Sequence, residues 1–256
     1  MDQGEANQKY ICKPFSSPPI TTFDDARLFW HNGEPRHKIF DSKKSIEIEP
    51  TEKLDYWSKT FYGPKPLIIN NGQTLVAKIP WEEEATITTS FTLKPKEQFD
   101  QAGIMVIVNE NVWVKAGIEY TDGFPNLSCV VTNDGYSDWS TQRIPRYKSS
   151  ENDQEDLDRI SLNVRLSKLR PGAIQGPSLI FEAAYVNKDV GKNGGDLDWF
   201  QVRIASLRSV AEVQGKDDDW LMGVFSNAPV KQGGSSVTFH SIEIGEKVKP
   251  VHDAVL

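Results

Sequence analysis

Between Phe99 and Thr141 the chain reads FDQAGIMVIV, VWVKAGIEY and LSCVVTNDGYSDWST, with Asn-Glu-Asn and Thr-Asp-Gly-Phe-Pro-Asn between the stretches. Apolar residues recur at every second position, which suits an extended strand and puts no continuous stripe on a helix. The run therefore predicts strand, turn, strand, turn, strand. In the middle stretch Val112, Val114, Ala116, Ile118 and Tyr120 share one face, and Trp113, Lys115, Gly117 and Glu119 share the other. A second face made of an aromatic ring, a cation and a carboxylate predicts a lined groove beside a core.

The same rhythm extends along the chain. Short strands are expected at Ile46–Ile48, at Leu75–Ile79 after an Asn71-Gly72 turn, and at Thr86–Leu93. Further strands are expected at Ile160–Leu166, Leu179–Tyr185, Trp199–Leu207, Trp220–Phe225 and Val237–Ile244. Phe29 to Gly33 reads as a short strand or a turn, and only Leu207 to Val213 has a helical spacing. The charged stretch Arg143–Asp158 and the glycine-rich Gly191–Asp196 read as loops. About a dozen strands at roughly ten-residue spacing, with no βαβ rhythm, predict an all-β antiparallel sandwich or jelly roll. No linker separates two cores, so the organisation expected is an N-terminal arm over residues 1–44 and one sandwich domain over residues 45–250.

Composition narrows the function classes. A chain of 256 residues buries enough surface to need neither disulfides nor metals. Its net charge of −7 argues against non-specific binding to nucleic acid or to an anionic membrane, so neither partner is expected. The first ten residues are polar and no apolar stretch approaches membrane-spanning length, which predicts a cytoplasmic protein. Cys12 and Cys129 are then expected as free thiols.

With each strand's apolar set turned inward, the opposite face collects Trp113, Lys115, Glu119, Ser161, Asn163, Arg165, Glu182, Trp199, Gln201 and Arg203. Tryptophan faces stack on sugar rings, and charged groups bond their hydroxyls, so this set suits a saccharide groove. An ordinary charged outer face accounts for the same charges but leaves the tryptophans unexplained. Catalytic signatures are missing: the chain has no G-x-S-x-G, H-E-x-x-H, C-x-x-C or phosphate-binding loop, and its four histidines are scattered. Glu119 and Glu182 are the one carboxylate pair on this face that glycoside hydrolysis would call for. No catalytic residue, metal or cofactor is assigned.

Several motifs act together. FDQAG at 99–103, W-x-K-x-G-x-E at 113–119, LSCVVTNDGYSDWS at 127–140, W-x-x-x-R at 199–203 and MGVFSNAP at 222–229 resemble a widespread family of uncharacterised domains. The resemblance covers residues 45–245 and implies a concanavalin A-like jelly roll related to the C-terminal sandwich of β-xylosidases. Within that family the chain is most similar to fungal cytoplasmic proteins named for regulation of enolase. This implies a non-enzymatic regulatory binding protein in carbohydrate metabolism, with enolase as the partner. Asp100, Gln101, Ser137, Asp138 and Trp139 join the earlier residues at motif positions. The candidate groove is thus Gln101, Trp113, Lys115, Glu119, Asp138, Trp139, Arg165, Glu182, Trp199 and Arg203. The alternative reading of those residues is a carbohydrate-binding module or a sugar-active enzyme. Lys115, Glu119 and Arg203 are expected in one charged cluster on one sheet.

Overall fold

The structure is a computed structural model that describes residues 13–144, 160–172, 176–186, 197–207, 219–230 and 235–252. These residues form sixteen strands. In chain order they are β1 (Phe29–His31), β2 (Arg36–Ile39), β3 (Ile46–Glu49), β4 (Tyr56–Ser58), β5 (Ile68–Asn70), β6 (Thr74–Ile79), β7 (Ala85–Lys94) and β8 (Gln101–Asn109). They continue as β9 (Val112–Thr121), β10 (Phe124–Asn133), β11 (Tyr136–Arg143), β12 (Ile160–Gly172), β13 (Gly176–Tyr185), β14 (Phe200–Ser206), β15 (Trp220–Asn227) and β16 (Ser236–Gly245).

Two seven-stranded sheets face each other, one in the order β1-β6-β15-β8-β9-β10-β11 and the other in the order β14-β13-β12-β7-β16-β3-β2. Their strand pairings are antiparallel. Alternation supplies the core: Ile104, Val106, Val114, Ala116 and Ile118 of the first sheet meet Ile87, Phe91, Val164, Phe181 and Phe239 of the second. Burying these two faces against each other is the main favourable term in folding. Residues 29–39 contribute β1 to the first sheet and β2 to the second, while Phe15, Ile20 and Phe23 plug into the core ahead of them.

Two tight hairpins order the middle of the first sheet. Asp122-Gly123 and Asp134-Gly135 join β9 to β10 and β10 to β11 with positive φ at both central residues (54° and 79°, 51° and 71°). Asp-Gly suits the type I′ hairpin that matches strand twist. The third stretch expected from the sequence, Leu127 to Thr141, is therefore two strands, with β10 beginning at Phe124. The period-2 pattern runs through Asn133-Asp134-Gly135, and the turn chemistry there decides the break.

A small two-stranded ladder, β4 with β5, was not evident from the pattern because both strands are only three residues long. It roofs the outer face of the first sheet. There Tyr56 and Trp57 pack with Met105, Ile107, Trp113, Val130 and Phe225 in a second apolar cluster. That explains the unbroken apolar run of β8, which is buried on both faces. Cys129 faces the main core and is a buried free thiol, and burial pushes it up to about 12. Cys12, the loop expected at Gly191–Asp196, residues 145–158 of the charged loop and residues 208–213 of the helical spacing lie outside the described residues.

Candidate functional site

The outer face of the first sheet carries the chemistry. Along β9 the outward positions are Trp113, Lys115, Gly117 and Glu119, and all four are buried. Gly117 is paired with Gly103 of β8, so bare backbone lies between the lysine and the glutamate. Trp113 is covered by the roof, with its ring 5.6 Å from that of Tyr56.

Lys115 Nζ donates to Asp55 Oδ1 at 2.6 Å, and the two side chains are only 4% and 13% exposed. The same oxygen accepts from Gln101 Nε2 at 3.1 Å and Asn227 Nδ2 at 3.5 Å. Asp55 stands directly before β4, so the roof is held to the sheet by an ion pair as well as by Tyr56 and Trp57. Removing one partner from such a pair leaves a charge uncompensated, at a cost of about 3–5 kcal/mol.

Glu119 has different partners. Its Oε2 accepts from Ser128 Oγ at 2.7 Å and from Trp139 Nε1 at 3.0 Å. Burial raises its carboxyl above the usual range, while the nearby Lys115 charge pulls the other way. Glu119 therefore fixes the orientation of Trp139, whose ring is 36% exposed on the edge strand β11.

Trp139 forms one side of an open cleft of about 380 Å³ lined by Trp57, Thr60, Phe61, Tyr62, Ser137, Asp138 and Trp139. Three ring pairs build its walls. Trp57 is edge-on to Trp139 at 6.2 Å and to Tyr62 at 5.5 Å, and Phe61 is edge-on to Tyr62 at 5.4 Å. The loop is fixed by Trp57 Nε1 donating to the Thr60 carbonyl at 3.0 Å and by Ser58 donating to Ser137 Oγ and to the Gly135 carbonyl. Burial raises the Tyr62 hydroxyl, and the carboxylates of Glu119, Asp55 and Asp122 raise it further. Phe61 is 90% exposed and held at φ 72°. A bulky side chain in the left-handed region is uncommon and is kept there at a cost in backbone strain.

The ten residues expected in one groove divide between the two sheets. Gln101, Trp113, Lys115, Glu119 and Trp139 lie under or beside the roof of the first sheet. Arg165, Glu182 and Trp199 gather on the outer face of the second. There Arg165 Nε donates to Glu182 Oε2 at 2.6 Å and the guanidinium lies 4.5 Å from the Trp199 ring. Glu119 and Glu182 are thus separated by the sandwich core and make no carboxylate pair.

Arg203 corrects the expected cluster. It belongs to β14 of the second sheet and reaches across the sandwich edge to Asp138 Oδ2 and Ser140 Oγ of β11, both at 2.9 Å. A bulge opposite Phe181/Glu182 shifts the register of this edge strand, so Arg203 takes the side expected for its neighbours and Ile204 is 51% exposed. Asp138 sits at the junction, on the rim of the cleft.

Asp55, Trp57, Phe61 and Tyr62 escaped the pattern because they stand in and around strands too short to alternate. The cluster of four aromatics and a carboxylate within Asp55-Tyr56-Trp57 and Phe61-Tyr62 was the available signal.

The class defined by this geometry is a concanavalin A-like β-sandwich with one roofed and cleft-bearing face. The profile of the family described as "Protein of unknown function (DUF1349)" matches residues 30–247, and the chain belongs to that family. It is 38% identical over 105 residues to Regulation of enolase protein 1 of Saccharomyces cerevisiae, a stretch covering 40% of this chain and 49% of that protein. The chain spans about half the length of the curated relatives it matches. A solved structure of a functionally unknown protein from Saccharomyces cerevisiae superposes with a TM-score of 0.63 at 26% identity, over 88% of this chain and 98% of that one. The Bacteroides ovatus xyloglucan-locus protein GH43B superposes with a TM-score of 0.61 over 91% of this chain and 40% of its own, at 11% identity, a likeness of fold alone.

Proposed function

We propose that this chain is a non-enzymatic, cytoplasmic regulatory protein of carbohydrate metabolism that works by binding through the aromatic cleft. The observation that carries this reading is the cleft itself: Trp139, held by the buried Glu119, stands beside Trp57, Tyr62 and the strained, exposed Phe61. Exposed aromatic rings on a rigid sheet edge serve as binding anchors. The name of the yeast relative supports enolase as the regulated partner. No nucleic-acid or membrane partner is assigned. Phe61→Ala and Trp139→Ala are the informative variants, since neither removes a main-core residue. Both are to be compared with the wild type for retention of purified enolase and for their effect on its activity. Loss of both effects, with an unchanged melting curve, is the expected result. Equal retention by all three proteins would reject the cleft, and no retention by the wild type would reject the partner.

The alternative is that the same cleft holds a saccharide, favoured by its ring walls and by Asp138 at the rim. A glycan array on the wild type and on Trp139→Ala tests it. A glycan bound by the first protein and not the second supports a sugar site, and an array with no binder rejects it.

A further inference from the structure

On the outer face of the second sheet, alternation places Thr86, Ser167 and Glu182 away from the core, yet their exposures are 3%, 0% and 0%. What lies against these positions is the chain's own segment after β16. The Val248 amide donates to Thr86 Oγ1 at 3.1 Å, Arg165 Nη2 donates to the Lys249 carbonyl at 3.4 Å, and the Val251 amide donates to Glu182 Oε1 at 2.6 Å. Thr86 Oγ1 and Ser167 Oγ are themselves joined at 2.9 Å.

Each of the three contacts to the segment engages its main chain. Thr86, Arg165 and Glu182 stand on the successive strands β7, β12 and β13, with Glu182 two residues along from the row of Thr86 and Ser167, a diagonal of about 12 Å. Three residues of extended chain, from Val248 to Val251, span a comparable length, about 10 Å. In an extended chain the carbonyl of residue 249 and the amide of residue 251 leave the same edge, and that edge meets the Arg165 donor and the Glu182 acceptor. Pro250, between them, has no amide to satisfy and a φ already fixed for this conformation. Arg165 is paired with Glu182 and lies over the Trp199 ring, so the guanidinium is oriented by groups outside the segment. Lys247 Nζ adds a contact to the Glu84 carboxylate at 3.2 Å.

We propose that this face is a peptide-binding site for an extended, basic, proline-containing segment, and that residues 246–252 occupy it in cis. It recognises main-chain polarity through the Arg165–Glu182 pair, uses Thr86 as a further acceptor, and meets a lysine three residues before the proline through Glu84. A partner peptide of the same chemistry gains access when the resident segment leaves. The site is independent of the aromatic cleft on the other sheet.

The test uses the full chain with a protease recognition sequence inserted between Gly245 and Glu246. After cleavage and dilution, a fluorescent synthetic peptide of residues 246–252 is titrated in. Saturable binding to the cleaved protein is expected, with affinity about a hundredfold weaker for the uncleaved protein because the tethered segment competes at high effective concentration. Arg165→Lys, which keeps the charge and loses the fork, is expected to weaken peptide binding about tenfold in the cleaved protein. A cleaved protein that stays folded and binds no peptide overturns the proposal, as does one that unfolds on cleavage. Hydrogen exchange on the intact chain gives a second measure. The Val248 and Val251 amides should open far faster than those of β12 and β13, and equal protection would show a fixed part of the fold rather than a resident ligand.

Discussion

Glu119 shows how one burial decides both an orientation and a pH response. Its carboxyl is raised from 4.5, first by burial and against the pull of Lys115. The folded state therefore holds this proton after the unfolded chain has released it. The group's contribution is fully present below about pH 4.5 and is lost as pH rises through the folded-state value. Gln has no proton to release, and its carbonyl oxygen still accepts from Ser128 and Trp139. Glu119→Gln should gain thermal stability relative to the wild type as pH goes from 4 to 8, the difference between the two melting curves isolating this residue. A difference that stays constant with pH would contradict the assignment. Cys129 obeys the same sign at a higher window, raised from 9.0 to about 12 by burial. Its thiol should ignore an aromatic disulfide reagent at pH 8 and react at once in denaturant, and fast native labelling would mean that β10 is out of register by one residue. At this scale the sequence was informative about direction. Alternation put Lys115 and Glu119 of β9 on the outward face, and Cys129 of β10 inward with Leu127 and Val131. It gave no partner for Lys115, because Asp55 lies 60 residues earlier and no period connects them.

Elements were legible where they are long. The extended strands β7, β9, β12 and β16 were each expected from period two, while β2, β4 and β5 are three or four residues long and cannot display a period. The roof made from β4 and β5 is thus invisible in the pattern, although its effect is written into β8, whose outward Met105 and Ile107 are apolar to meet it. Two glycines have an equally specific place. A Cβ built on Gly117 would lie 2.1 Å from the Ala102 carbonyl oxygen and 2.7 Å from Gly103 Cα, both backbone atoms of the paired strand. No rotamer change relieves that contact, so β8 and β9 must separate. Gly117→Ala should lower stability by about 1–3 kcal/mol, read from the urea midpoint, through overpacking alone. A neutral result would show that the ladder at Gly103–Gly117 is looser than its register implies.

Across the whole molecule, alternation identifies which side of a strand faces the core but not which sheet the strand joins. That is why a single face expected from Trp113, Lys115, Glu119, Arg165, Glu182, Trp199 and Arg203 becomes two outer faces and one edge. Sheet membership is settled by pairings between residues distant in sequence, such as Val237 with Leu93 and Leu221 with Ile107, which no local pattern encodes. The separation is open to measurement. Glu119 and Glu182 project from opposite sheets with a packed core of about 10 Å between them, and they share no hydrogen-bond partner. Sites so placed contribute independently to stability, their effects adding to within about 0.5 kcal/mol. A thermodynamic cycle through Glu119→Gln, Glu182→Gln and the double variant should therefore close with a coupling inside that limit. A shared carboxylate site would behave otherwise, because neutralising one acid would relieve the other and the coupling would exceed about 1 kcal/mol. A large coupling would return both glutamates to one site and undo the assignment of the cleft and the peptide face to separate sheets.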